Sequence, residues 1–296
     1  MTAFLYRGPL SSCNYGCDYC PFAKTSNTRA ELQDDATKLQ RFVDWIVSSR
    51  SGTSDKRNSV FFTPWGEALI RPAYQRALQE LTNSPSVEVA AIQTNLSCEL
   101  GWADSCKPEK LGIWATYHDE WCKRSSFLDK VTALHDRGVR ISVGVVGFRR
   151  FAAEIEALRA DLPPNVYLWI NAAKSSETYD EELIRHFETI DPNFRTNTQY
   201  HPSAGRRCRT GQSVVSVDGD GNVRRCHFVD TVLGNLYDDL APLLAERACP
   251  NQTCGCHIGY VHMPALGLDE VYGAGILERV PRTHQALRRG ALTLTS

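Results

Sequence analysis

The residues best suited to chemistry are three cysteines near the amino terminus, in the stretch CNYGCDYC: Cys13, Cys17 and Cys20. A structural zinc site takes four protein ligands in a closed tetrahedron, whereas a metal cluster can be held by three and leave one metal position open. Three thiols with no fourth nearby therefore indicate an open metal cluster. A zinc knuckle, or thiols buried as small hydrophobic groups, is the alternative.

The chain has 11 cysteines in 296 residues, and five of them lie in the C-terminal third. The first residues, MTAFLYRGPL, lack the apolar run of a signal peptide, and no later stretch is long and apolar enough for a membrane span. We therefore expect a cytoplasmic protein, in which disulfides are disfavoured. The cysteines then indicate metal binding, redox chemistry or a reactive thiol.

Apolar, strand-like runs alternate with amphipathic, helix-like runs over the first 195 residues. The predicted strands are Ala3 to Arg7, Ser59 to Thr63, Val87 to Thr94, Leu111 to Tyr117, Arg140 to Gly147 and Val166 to Ala172. The predicted helices lie in ATKLQRFVDWIV, EALIRPAYQRALQEL, SFLDKVTALHDRG, FAAEIEALRADLPP and YDEELIRHFETI. This alternation predicts parallel strands with right-handed crossovers, in a partial barrel or an open sheet. Residues 1–195 form the first predicted domain.

From residue 196 onward the chain is rich in cysteines and turns, so residues 196–296 form a second predicted unit. Within it, SVVSVDGDGNVRRCHF predicts a β-hairpin. The DGDGN turn has acidic residues but lacks the remaining ligands of a calcium loop, so a hairpin turn is the better interpretation.

Charge excludes some classes of partner. Lys and Arg number 33 and Asp and Glu 34, so the net charge is -1. Such a chain has no bulk attraction for nucleic acid or for an anionic membrane, and we expect neither as a partner.

The CxxxCxxC spacing after a first strand resembles the radical S-adenosylmethionine (radical SAM) superfamily. The resemblance implies a partial (β/α)6 TIM-like barrel with a small C-terminal auxiliary iron-sulfur module. It also implies that Cys13, Cys17 and Cys20 bind a four-iron four-sulfur (4Fe-4S) cluster whose fourth iron binds SAM. One electron from the cluster would then cleave SAM and release a 5'-deoxyadenosyl radical.

Further SAM contacts follow from the same resemblance and lie at the ends of predicted strands, where ligands of parallel α/β proteins gather. TPWGEAL departs from the family's GGEP pattern but keeps Gly66 and Glu67, and Glu67 would help bind the methionine amino group. The remaining expected contacts are Thr94 and Asn95, Tyr19 beside adenine, and Gly144 and Val145 beside adenine and ribose.

The C-terminal cysteines resemble the auxiliary-cluster modules called twitch domains, relatives of SPASM domains. This resemblance implies a second 4Fe-4S cluster held by Cys208, Cys226, Cys254 and Cys256. The family usually spaces its last pair CxxC, so CxC leaves the ligand set open, and a zinc site with the same four cysteines remains an alternative.

Cys249 is the remaining thiol of this group. A thiol beside a redox centre and facing the substrate could return a hydrogen atom to a substrate radical, as the resemblance to radical SAM epimerases implies. Alternatively, Cys249 is itself a cluster ligand and replaces Cys254 or Cys256.

Over its full length the chain resembles radical SAM epimerases that act on aminoglycosides. This implies a small-molecule aminoglycoside substrate, SAM as co-substrate and an external electron donor such as flavodoxin or ferredoxin. Acidic residues available to bind substrate amines are Asp119, Glu120, Asp218, Asp220 and Asp230. The alternatives are a radical SAM dehydrogenase of an aminocyclitol, an enzyme that modifies ribosomal peptides, and a non-catalytic iron-sulfur or zinc protein.

Overall fold

A computed structural model describes residues 1–48 and 57–285 of the chain. Six parallel strands come first, and each coincides with a predicted strand to within a residue or two. They are β1 (Ala3–Arg7), β2 (Asn58–Phe62), β3 (Val87–Thr94), β4 (Leu111–Thr116), β5 (Arg140–Val146) and β6 (Tyr167–Asn171).

Four helices of the described chain connect these strands, and a fifth follows the last strand. They are α1 (Arg29–Ser48), α2 (Pro72–Asn83), α3 (Arg124–Asp136), α4 (Ala152–Asp161) and α5 (Glu181–Glu188). Between β3 and β4 the described chain forms only a short 3-10 helix, Gly101–Ser105.

The six strands lie side by side in sequence order, and all five neighbouring pairs are parallel. This order, with the connecting helices on one side, is a partial TIM-like barrel, and it confirms the predicted α/β class. The carboxyl ends of the strands therefore share one edge of the sheet, at which the loops after each strand converge.

Both faces of the sheet are buried, which explains why its strands are almost continuously apolar. Along β1, Phe4 and Tyr6 pack into the core beneath the helices, whereas Ala3 and Leu5 pack into a second core on the concave face. The helices thus cover only the convex face, and another part of the chain must cover the concave one.

The C-terminal region extends the same sheet and also covers its concave face. Its elements are α6 (Phe194–Asn197), β7 (His201–Pro202), β8 (Val214–Asp218), β9 (Asn222–Arg224), β10 (Val232–Asn235), β11 (Thr253–Cys254), α7 (His257–Tyr260) and α8 (Leu268–Tyr272). Strands β8 and β9 form the predicted hairpin, and β8 pairs with β1 in parallel. Apolar residues from 258 to 277 fill the concave core.

One predicted helix starts later than expected. The sequence predicted a helix from Glu67, but α2 begins at Pro72, which occupies the first turn. Proline suits that position because it has no N–H to donate and its φ angle is already helical. The residues before Pro72 form a loop, so Glu67 lies outside the helix and its side chain can make other contacts. None of the described helices is long and apolar enough to cross a membrane.

Candidate functional site

The loop between β1 and α1 carries the first three cysteines around one cavity. Cys13, Cys17 and Cys20 all line this cavity, which has a volume of about 340 Å³. The carbonyl oxygen of Cys17 accepts hydrogen bonds from the backbone N–H of Cys20 at 3.1 Å and from Nζ of Lys24 at 2.9 Å. These bonds turn the backbone so that all three thiols border the same space.

The loop that follows β2 packs directly on this cysteine loop. The backbone N–H of Glu67 donates to the carbonyl oxygen of Ser12 at 3.1 Å. A Cβ atom at Gly66 would lie 1.9 Å from that same oxygen, so only glycine permits the approach. The side chain of Asn27 secures the cysteine loop from the other side, since its Oδ1 accepts from the backbone N–H groups of Ser11 and Ser12.

The Glu67 carboxylate joins the ends of β2 and β3 at the cavity. Its Oε1 accepts from the Thr94 hydroxyl at 2.7 Å and from the Leu69 N–H at 2.9 Å, and its Oε2 accepts from the Asn95 N–H at 2.5 Å. Burial raises the pKa of Glu67 to about 7, and these three hydrogen bonds oppose the rise. The predicted residues Gly66, Glu67, Thr94 and Asn95 are thus brought together on the cavity wall.

A histidine that the sequence reasoning missed lies on the same wall. Nδ1 of His118 lies 2.8 Å from the Tyr19 hydroxyl and 3.5 Å from Sγ of Cys17. Burial lowers the pKa of His118 to about 4, so its ring is neutral near pH 7. His118 comes just after β4, and the rule that polar residues at strand ends gather at one edge could have found it.

Three predicted SAM contacts do not have side chains on the cavity wall. Tyr19 packs against Phe148, with ring centroids 5.5 Å apart. Trp169 covers Gly144, where a Cβ atom would meet its indole at 1.9 Å. Val145 belongs to the core beneath the helices, because it alternates with Gly144 along β5.

A second group of thiols surrounds another pocket. Cys208, Cys226 and Cys254, three predicted ligands of the second cluster, line this pocket together with Cys249, the predicted hydrogen donor. Cys208 precedes β8, Cys226 lies two residues after β9 rather than in it, and Cys254 ends β11. Burial raises the pKa of the Cys254 thiol to about 12.

Arg225 connects the chain segments around the second pocket, and the sequence analysis did not single it out. Its buried guanidinium donates through Nη1 to the carbonyl oxygen of Ala248 and through Nη2 to the Thr210 hydroxyl at 3.3 Å. That hydroxyl in turn lies 3.2 Å from Sγ of Cys208. The Arg225 side chain thereby connects the three chain segments that carry Cys226, Cys208 and Cys249.

Cys256, the fourth predicted ligand, does not line the second pocket. It is an exposed residue. Desolvation raises the pKa of its thiol, while a backbone hydrogen bond from Ile258 and the charges of Arg7, Lys174 and Arg279 lower it. Nζ of Lys174 donates to the carbonyl oxygen of Gly255 at 2.7 Å, which fastens this segment to the end of β6.

The acidic hairpin residues are engaged with other groups. Oδ1 of Asp218 accepts from the backbone N–H groups of Asp220 and Asn222, and its Oδ2 accepts from Arg224 at 2.8 Å. Asp220 pairs with Lys38 at 3.0 Å. The DGDGN stretch is therefore a hairpin turn, as the sequence predicted.

The two thiol groups can be compared with what a metal requires. Within residues 1–48 and 57–285, no three His, Cys, Asp or Glu side chains are arranged around a point that could hold a single metal ion. A four-iron cluster instead binds each cysteine to a different iron, so its ligands surround a volume. The thiols of each group border one shared pocket and supply the sulfur ligands that such a cluster takes.

Comparison with known proteins gives a structural likeness only. No protein-family model matches the chain, and no curated protein sequence does. The solved structure "Native anSMEcpe with bound AdoMet" matches with a TM-score of 0.54 and 16% identity, over 81% of this chain and 80% of that one. "Native anSMEcpe with bound AdoMet and Cp18Cys peptide" matches with a TM-score of 0.53 and 16% identity, over 82% and 80%.

A third structure, "Crystal structure of BtrN in complex with AdoMet and 2-DOIA", has a TM-score of 0.39 at 16% identity, over 82% of both chains. At such identities the likeness to the first two structures shows that the chain shares their fold. It does not carry over what they bind.

Proposed function

We propose that this protein is a radical SAM enzyme. The observation that carries the proposal is the convergence of Cys13, Cys17, Cys20 and Glu67 on one cavity at the carboxyl ends of parallel strands. The fold is shared with solved structures that have AdoMet bound. When bound, a 4Fe-4S cluster supplies an electron that cleaves SAM to methionine and a 5'-deoxyadenosyl radical.

The chain's own residues hold and orient these groups. Cys13, Cys17 and Cys20 would supply three thiolate ligands to the cluster, which would leave one iron available to SAM. Glu67 would help bind the amino group of SAM. The Thr94 hydroxyl and the backbone N–H of Asn95 hold the Glu67 carboxylate in place.

The proposed reaction is epimerisation of an aminoglycoside, the conversion of neomycin C to neomycin B by inversion of the aminomethyl-bearing carbon of the terminal aminosugar. The support is the resemblance of the whole chain to such enzymes and the number of C-terminal thiols. Five cysteines are present there and a cluster takes four, so one thiol is left to react.

Cys249 is the proposed hydrogen donor, and Cys208, Cys226, Cys254 and Cys256 are the proposed ligands of the second cluster. The hydrogen taken from the substrate carbon leaves in 5'-deoxyadenosine. The S–H bond of Cys249 then breaks as a new C–H bond forms on the opposite face, and one electron and one proton restore the thiol. One substrate, one SAM, two electrons and one proton give the epimer, methionine and 5'-deoxyadenosine. The electrons come from an external carrier of the flavodoxin or ferredoxin class.

A second assignment exchanges the roles of two thiols, so that Cys249 is a ligand and Cys256 the donor. The observation behind it is that Cys249 lines the second pocket with Cys208, Cys226 and Cys254, whereas Cys256 does not. Single alanine variants decide between the two assignments. Under the proposed roles, Cys249→Ala keeps the iron of both clusters and cleaves SAM but accumulates no epimer, whereas Cys256→Ala loses iron. Under the exchanged roles the two variants give the opposite results.

The central test incubates anaerobically reconstituted protein with SAM, a reductant and neomycin C, and identifies the product by NMR. We expect neomycin B, one 5'-deoxyadenosine per inverted centre and, in deuterated water, deuterium at the inverted carbon. Native protein should contain about eight irons and the triple variant Cys13→Ala, Cys17→Ala, Cys20→Ala about four, with no SAM cleavage. A triple variant that keeps all the iron contradicts the cluster assignment.

Other reactions of the same class give different readouts. A radical SAM dehydrogenase of an aminocyclitol, or an enzyme that modifies a ribosomal peptide, would oxidise or crosslink its substrate, whereas epimerisation leaves the substrate's redox state unchanged. A solved structure with the same fold has a peptide bound, which keeps the peptide alternative open. A non-catalytic iron-sulfur or zinc protein would form no 5'-deoxyadenosine.

A further inference from the structure

Two large aromatic side chains are exposed side by side on the wall of the first cavity. Phe22 is 46% exposed and Trp65 is 47% exposed. Their rings are nearly parallel, with an interplanar angle of 13° and centroids 5.9 Å apart. Aromatic side chains that line a cavity and stay accessible are a typical feature of small-molecule sites.

Both rings are carried by backbone that is held in place. Trp65 lies between Pro64 and Gly66, and the close contact of Gly66 with the cysteine loop leaves this segment little room to move. Phe22 follows two residues after Cys20, on the loop whose turn is secured by hydrogen bonds to the Cys17 carbonyl. Rings held in this way lose little entropy when a ligand packs on them.

The cavity wall does not provide a second carboxylate for an amine of the substrate. Glu67 is the single carboxylate among the residues that line the described cavity. Its oxygens accept hydrogen bonds within the protein, and the proposed function assigns it to the amino group of SAM. Lys24 and His118 also line the wall, and neither side chain carries a negative charge that could pair with a substrate ammonium group.

Aromatic faces offer a different way to hold an amine-bearing sugar. The negative face of an indole or phenyl ring attracts cations, and its apolar surface packs on the C–H groups of a sugar ring. The Trp65 ring already holds one cation in this way, because the Arg7 guanidinium carbon lies 5.4 Å from its centroid.

We propose that Trp65 and Phe22 form the platform on which an aminosugar ring of the substrate stacks. The inference rests on the proposed function and names the residues that recognise its substrate class. Trp65 occupies the position where the stretch TPWGEAL departs from a glycine-rich pattern, so the departure itself supplies the specificity residue. The competing occupant of the platform is the adenine ring of SAM.

The test measures equilibrium binding of neomycin C, and separately of SAM, to reconstituted protein without reductant, by calorimetry. The variants are Trp65→Ala, Trp65→Phe and Phe22→Leu, the last of which keeps apolar bulk but removes the aromatic face. The matched control is Trp121→Ala. Trp121 is 46% exposed and stacks on Tyr15 at 5.6 Å, but it does not line the cavity.

We expect Trp65→Ala to weaken neomycin C binding about tenfold, and Phe22→Leu to weaken it several-fold, about the size of a cation–π contact that is partly shielded from water. Trp65→Phe should recover most of the affinity because it keeps a ring. Trp121→Ala should stay within about twofold of native, and SAM affinity should be unchanged in all four variants.

Several results overturn the inference. Native affinity for neomycin C in both Trp65→Ala and Phe22→Leu excludes the platform, and so does an equal loss in Trp121→Ala. Loss of SAM affinity with unchanged neomycin C affinity assigns the rings to adenine instead. If native protein binds SAM but not neomycin C, the proposed substrate is wrong, a failure distinct from that of the platform.

Discussion

Asp35 couples the pH dependence of stability to the anchoring of the cysteine loop. It lies on α1, is only 3% exposed, and accepts a hydrogen bond from the Tyr74 hydroxyl at 3.2 Å. Desolvation raises the pKa of Asp35 from 3.8 to about 6, although bonds from Tyr74 and from the backbone N–H of Leu10 oppose the rise. Leu10 immediately precedes the cysteine loop, so this carboxyl group holds the start of that loop.

The sign of the effect follows from the direction of the shift. Because the pKa is higher in the folded chain, folding favours the protonated acid, and this contribution to stability is full below pH 3.8 and is lost as pH rises through about 6. The pKa difference, about 6 minus 3.8, at 1.36 kcal/mol per pH unit amounts to about 3 kcal/mol. About 2 kcal/mol of this falls between pH 4.5 and pH 7.5.

Asp35→Asn removes the titration and keeps the shape of the side chain. We expect the free energy of unfolding of the variant, relative to native protein, to rise by about 2 kcal/mol between pH 4.5 and pH 7.5. The measurement is urea unfolding followed by circular dichroism at several pH values in this range. If the two proteins show parallel pH dependence, within about 0.5 kcal/mol, Asp35 does not titrate in this window and the reasoning is wrong.

Three further predictions test other contacts. Gly66→Ala, whose Cβ would lie 1.9 Å from a backbone oxygen, should abolish SAM binding, whereas Gly101→Ala, which meets nothing within 4 Å, should leave it unchanged in the same calorimetric assay. Arg225→Ala should lower the iron content of the reconstituted protein by up to about four irons, because it removes the hydrogen bond that holds Ala248, the residue before Cys249. Native iron content in this variant would exclude the role. Asp191→Ala should lower the free energy of unfolding by about 3 kcal/mol or more, since this buried carboxylate accepts several hydrogen bonds, and a loss below about 1 kcal/mol would contradict it.

Much of the fold could be predicted from the sequence, because its signals are local. The six strands are almost continuous apolar runs between amphipathic helices, a pattern that a parallel sheet buried on both faces requires. The hairpin could be predicted from the stretch DGDGN. The Asp218 carboxylate stabilises the turn by accepting hydrogen bonds from the backbone N–H groups of Asp220 and Asn222. The grouping of the first three cysteines could also be predicted, because Cys13 and Cys20 are only seven positions apart, with Cys17 between them.

The rule that ligand-binding residues gather at the carboxyl ends of parallel strands also predicted part of the site. Gly66, Glu67, Thr94 and Asn95 are far apart in sequence but share the cavity wall, because parallel strands end at the same edge. The Val145 side chain instead points under the helices, because a strand sends alternate side chains to opposite faces, and its contact with SAM stays a prediction. At Gly144 the concave face is already filled by Trp169.

Tertiary structure alone decided which distant groups meet. Nothing local distinguishes Cys249 from Cys256, yet Cys249 shares a pocket with Cys208 and Cys226, whereas Cys256 lies outside it. That outcome depends on how the C-terminal segment crosses the concave face. The pairing of Phe22 with Trp65 is of the same kind, because it brings together loops from two strand ends. Sequence periodicity records the face that each element buries, while contacts between loops depend on the packing of the whole chain.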